Sequence, residues 1–71
     1  MSKQKRVKTF YKGVFNFRCK MEVMYGWAYT KSQVWAVFCR RIAHKHVVSV
    51  GAVMEVFEPG KENYSIKEEP T

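Results

Sequence analysis

Residues 30–46, Thr-Lys-Ser-Gln-Val-Trp-Ala-Val-Phe-Cys-Arg-Arg-Ile-Ala-His-Lys-His, constrain this chain most, because no other segment reads clearly as a helix. Thr30 is placed to cap the amide of Gln33, and Gln33 to reach back to the amide of Thr30, the pattern of a capping box. Val34, Trp35, Phe38 and Ile42 then share one stripe at helical period, flanked by Cys39 and His46. Ala36, Arg40, Arg41 and His44 point the other way. The segments on either side are rich in aromatic and β-branched residues, which favour strands. A single helix over a small sheet is therefore expected.

Residues 7–15 hold the strand formers Val7, Thr9, Phe10, Tyr11, Val14 and Phe15, with Gly13 marking a bulge or a close backbone approach. A hairpin turn is expected at residues 16–18. Residues 19–28 alternate cleanly. Cys19, Met21, Val23, Tyr25 and Trp27 are expected to face the helix, and Lys20, Glu22, Met24, Gly26 and Ala28 to face away. Tyr11, Phe15 and Met24 are then left on the uncovered side. Residues 48–57 read as a third strand, closed by the turn Glu58-Pro59-Gly60. Residues 61–71 hold only Tyr64 and Ile66 as large apolar groups among charges. They are expected to be disordered, with a short edge strand around residues 63–67 as the alternative.

The order strand, strand, helix, strand predicts an α+β two-layer domain, one helix packed on one face of a three-stranded sheet. A basic arm (residues 1–6), a single domain (7–58) and an acidic tail (59–71) complete the expected organisation. At 71 residues the chain is one domain. A chain of this size buries only about 60% of its unfolded surface.

Charge is unevenly spread. Residues 1–54 carry eleven Lys and Arg against one acid, Glu22, whereas residues 55–71 carry two lysines against five acids. So basic a domain is expected to meet phosphates or an acidic surface. Lys3, Lys5, Arg6, Lys8, Lys12, Arg18 and Lys20 interleave with Phe10, Tyr11, Phe15 and Phe17, a pattern suited to phosphate contact and base stacking. Arg40, Arg41, His44 and Lys45 form a second cluster. The twelve candidate nucleic-acid contacts are these eleven cations and Tyr11.

Catalysis is not expected. The chain has no Asp, no glycine-rich phosphate loop and no Cys/His pair at metal spacing. His44 and His46, two apart at the helix end, project in different directions and complement the helix dipole there. Cys19 and Cys39 are expected as buried free thiols in a reducing compartment. No cofactor and no metal is expected. No apolar run reaches the roughly 18–20 residues of a membrane span, and the basic N-terminus has no apolar segment behind it. A cytoplasmic location is expected.

Lys8-Thr9-Phe10-Tyr11-Lys12-Gly13-Val14-Phe15, Ala28 ahead of the helix, and Lys45-His46 followed by Val48 together resemble the small archaeal ribosomal protein LX, over residues 7–57. The resemblance implies the same fold and a ribosomal RNA partner met through Lys8, Lys12 and Lys45. The departures are a helix without acids and the acidic, Pro-ended tail. Three partner classes stand open: RNA or DNA; a protein, met by a non-enzymatic inhibitor or adaptor of mobile-element type that docks on an acidic surface or adds its open sheet edge to the partner; and a second copy covering the open sheet face.

Overall fold

The computed structural model describes residues 7–70. It is a two-layer α+β domain of a three-stranded antiparallel sheet and two helices. Strands β1 (Thr9–Phe17) and β2 (Lys20–Ala28) form a hairpin, helix α1 spans Lys31–His46, helix α2 spans Val50–Val56, and β3 (Tyr64–Glu68) returns to the sheet. The strand order is β2-β1-β3, with β1 in the centre and antiparallel to both neighbours.

The hairpin turns through Arg18 and Cys19, both left-handed, with φ of 53° and 64°. Two positive-φ residues between paired strands make the mirror-image turn that matches strand twist, normally an Asn-Gly site. Without those residues the turn left no mark in the sequence, and the expectation of residues 16–18 falls short by about one. Cys19 is exposed in that turn, not buried in a strand as expected.

Helix α1 begins as its sequence suggests. Thr30 Oγ1 accepts the Gln33 amide at 3.1 Å, while Gln33 Oε1 accepts the Tyr29 amide at 2.9 Å, one residue earlier than expected. Val34, Phe38, Cys39, Ile42 and Ala43 are buried against the sheet. Trp35 is half-buried, and its indole Nε1 donates to the Phe57 carbonyl at 2.8 Å.

Two expectations fail, for one physical reason. The segment expected as the third strand forms α2, and the strand that completes the sheet lies in the segment expected to be disordered. Ser49 caps the Ala52 amide at 3.1 Å, and Val53 and Phe57, four residues apart, put one buried stripe on the core. The carbonyls of Glu55, Val56 and Phe57 accept from Lys61 Nζ, Asn63 Nδ2 and Trp35 Nε1. These tertiary partners satisfy a helix end that the propensity of the three valines of α2 would oppose. The same lysine and asparagine draw the following segment back along β1, where Tyr64 stacks on Phe15 with ring centroids 5.1 Å apart.

Which face of the hairpin is covered also differs from expectation. Tyr11, Phe15 and Phe17 of β1, and Glu22, Gly26 and Ala28 of β2, lie buried against the helices. Met21, Val23, Tyr25 and Trp27 are on the open side. The Phe38 ring decides this. A Cβ on Gly13 would stand 2.5 Å from two of its carbons and one on Gly26 would stand 3.3 Å from a third, so only a face floored by glycine admits the ring. The register of β1 and β2 is continuous, so Gly13 serves close approach and not a bulge.

Candidate nucleic-acid interface

The uncovered face carries Phe10, Lys12, Val14 and Asn16 from β1, Met21, Val23, Tyr25 and Trp27 from β2, and Ser65 and Lys67 from β3, as the alternation and register require. Phe10 is the hub of an aromatic cluster, its ring centroid 5.7 Å from Tyr25 (near-parallel) and 4.9 Å from Trp27. Trp27 is 55% exposed and Tyr25 46%, so their rings present much of their area to solvent. Lys12 Nζ stands 6.0 Å from the Tyr25 ring centre. Lys12 and Lys67 are direct cross-strand neighbours, a like-charge pairing that costs stability. Within the three strands this face holds no acid; Glu69 follows just past β3, beside Phe10.

The aromatic surface continues around the β2 edge. Lys8, Trp27, Tyr29, Gln33 and Arg40 line a shallow cavity of about 390 Å³ between that edge and α1. Lys8 Nζ lies 5.7 Å from the centre of the Tyr29 ring. Two candidate cations from different elements, Lys8 ahead of β1 and Arg40 on α1, thus come together beside the exposed tryptophan.

The other sequence candidates are dispersed. Arg18 and Lys20 are exposed at the hairpin tip, the Arg18 guanidinium 5.2 Å from the Phe17 ring centre. Arg41 Nη1 donates to the Tyr25 carbonyl at 2.8 Å, which ties α1 to the free edge of β2. His44 is exposed on α1. Tyr11 is 4% exposed in the core, so it offers no stacking surface, and the rings that reach solvent from this hairpin are those of Tyr25 and Trp27. Lys3, Lys5 and Arg6 lie outside the described residues.

Lys45 belongs to a different arrangement. Its Nζ reaches Glu22 Oε1 at 2.8 Å, and His46 Nε2 donates to Oε2 at 2.9 Å. Glu22 is the one buried charged residue among the described residues, with 7% exposure. The hydrogen bond from Lys45, and then that from His46, hold its carboxyl below the ordinary value of 4.5, against burial that acts to raise it. His46 also packs on the Phe17 ring at 4.9 Å. This is a fastening between β2 and the end of α1. Burial pushes the Cys39 thiol up to about 11, so it is neither nucleophile nor ready ligand. No group of three or more His, Cys, Asp or Glu side chains able to hold a metal occurs among the described residues. No described helix is long and apolar enough to cross a membrane.

Sequence reasoning named Phe10 only as one of several interleaved aromatics, and missed Tyr25, Trp27 and Lys67. The signal that could have found the three rings is the parity of the glycines. Gly26 shares its face with Glu22 and Ala28, and the smallest side chains mark the face a helix approaches.

No protein-family model, no curated protein and no solved structure matches the chain.

Proposed function

We propose that this protein is a non-enzymatic cytoplasmic module that binds single-stranded RNA on the open face of its sheet. The observation that carries the reading is the Phe10–Tyr25–Trp27 cluster, its Tyr25 and Trp27 rings exposed around a half-buried Phe10, beside Lys12 and Lys67 on a face whose strands hold no acid. Unpaired bases stack on exposed aromatic rings irrespective of sequence, at about 1–3 kcal/mol per base. Lysines beside the rings hold the phosphates, which makes binding steeply salt-dependent. The face would take two or three bases, and the cavity at Lys8, Tyr29 and Arg40 continues the track around the β2 edge. Ribosomal RNA is one source of such strands, in keeping with the resemblance of residues 7–57 to the LX proteins.

The test is a salt titration against single-stranded and duplex RNA with matching DNA, read by anisotropy. Steep weakening with salt, preference for single strands, and loss of binding in a Lys8→Glu/Lys12→Glu/Arg18→Glu variant that still folds are the expected results. No binding at low salt overturns the reading. A second reading rests on Met21 and Val23, 64% and 52% exposed on the same face, which offer nothing to a phosphate chain. They suit a module docking on an acidic protein, or a second copy. Co-purified nucleic acid, read from absorbance at 260 and 280 nm, separates the two readings.

A further inference from the structure

The free edge of β3 opens on a groove that the RNA reading does not use. Between this strand and the first turns of α1 lies a cavity of about 670 Å³, with Trp35, Ala36 and Ile66 among its walls and Lys31, Lys61 and Lys67 around it. No acidic side chain lines it, and the first turn of α1 carries none. Lys61 is engaged, donating to the Glu55 carbonyl at 3.1 Å. Lys31 and Lys67 form no ion pair among the described residues. The Trp35 ring is held by its bond to the Phe57 carbonyl, so this apolar wall is fixed before anything binds.

The backbone beside the groove is unpaired in a definite pattern. The Asn16 amide donates to Asn63 at 3.0 Å and the Glu69 amide to Phe10 at 2.8 Å. With the antiparallel register between them, Asn63, Ser65, Lys67 and Glu69 turn their backbone groups toward β1. Tyr64, Ile66 and Glu68 therefore turn their N–H and C=O groups outward, along the groove. The opposite edge of the sheet differs, because Arg41 already occupies the Tyr25 carbonyl on β2. A sheet edge beside a helix, with an apolar floor between them, is the geometry in which an extended peptide adds a strand.

We propose that this groove takes an extended acidic segment of a partner protein as a fourth strand on β3. Backbone bonds to Tyr64, Ile66 and Glu68 fix its register. Apolar side chains on its helix-facing side pack on Trp35 and Ile66, and its acids meet Lys31 and Lys67. Charge selects the occupant. A second copy's β3, Tyr-Ser-Ile-Lys-Glu, carries one lysine and one glutamate and so complements these lysines less than an acidic strand does. The proposal stands independently of the RNA reading, and its failure would leave that reading untouched.

The probe is a fluorescein-labelled eight-residue peptide of alternating valine and glutamate, titrated with the full chain and followed by anisotropy. Two further peptides carry N-methyl groups on alternate amides, one set on each edge. Saturable binding is expected for the parent and for one methylated peptide, and loss for the other, because only one edge pairs with β3. Lys31→Glu should weaken the parent about fivefold, as removal and reversal of an exposed charge contact does. Ile66→Pro removes an outward amide without breaking a bond to β1 and should abolish binding. Should that variant fail to fold, the methylated pair and Lys31→Glu still decide the matter. The proposal is overturned if the parent peptide does not saturate, if both methylated peptides bind alike, or if Lys31→Glu changes nothing. It is equally overturned if sedimentation shows a dimer that the peptide cannot dissolve.

Discussion

The two faces of the sheet invert the usual relation between hydrophobicity and burial. On β2 the buried face carries Glu22, Met24, Gly26 and Ala28, and the exposed face carries Met21, Val23, Tyr25 and Trp27. By transfer free energy alone the second set should be inside. The first set is inside because packing and pairing outweigh area. Phe38 enters only where Gly13 and Gly26 leave room, and Glu22 is tolerated because Lys45 and His46 complete its hydrogen bonds. The inner face is built for fit, and the outer face keeps adhesive area that the fold does not use. Exposed apolar area of that kind is common at interaction surfaces.

The largest expected effect tests the fit of the inner face. Phe38 is fully buried and meets Phe15 edge-on, with ring centroids 5.8 Å apart. Phe38→Ala should cost about 3–5 kcal/mol, close to the whole stability of a domain this small. Thermal and urea unfolding would measure it. If the loss is below about 1 kcal/mol, the inner face is not the core and the comparison fails.

Gly13→Ala comes next. Overpacking against the Phe38 ring should cost about 2–3 kcal/mol, where an alanine in a strand is otherwise mildly favourable. The same change in a Phe38→Leu background, which keeps apolar bulk but removes the ring, should cost less. A double-mutant cycle reads that coupling directly. Independent effects would mean that Gly13 is required for its backbone and not for the ring above it.

How far the fold was legible follows from the same contrast. The α1 stripe, its capping threonine and the two hairpin strands could be read, because period and caps are local properties. The facing of β2 could not, because it depends on where Phe38 lands, a contact between residues far apart in sequence. Helix α2 and strand β3 exchanged their expected states for a related reason. Val50–Val56 becomes helical through Ser49 and three side chains that bond its last carbonyls, and Tyr64–Glu68 becomes a strand through stacking on Phe15. Of the candidate site, Lys8, Lys12 and Arg40 could be read from charge, while Tyr11 was chosen on the wrong side of the same strand.

Glu22 tests the buried polar group of the inner face. Glu22→Gln should cost about 2 kcal/mol by weakening two charge-assisted bonds, discounted because Lys45 is largely exposed. The pH dependence has a definite sign. The folded carboxyl titrates below the unfolded one, so its contribution is present above about the ordinary value of 4.5 and is lost as pH falls through the lowered folded value. Stability of the parent should therefore drop below that value more steeply than that of Glu22→Gln. Parallel curves would show that the pairing with Lys45 and His46 contributes nothing.

The smallest effect on stability is expected on the outer face, where function should register instead. Trp27→Ala removes one ring contact with Phe10 and a half-exposed side chain, so unfolding should shift by no more than about 1 kcal/mol. RNA affinity should fall about tenfold or more, the loss of one stacked base. The two readouts together distinguish a binding face from a mere surplus of apolar area. A larger loss of stability that grows with protein concentration would mean that a second copy covers the face, and the aromatic cluster would then be an interface core. A small loss of stability with RNA affinity unchanged would move the stacking surface away from Trp27, to Tyr25 and Phe10, where the paired Tyr25→Ala variant would locate it.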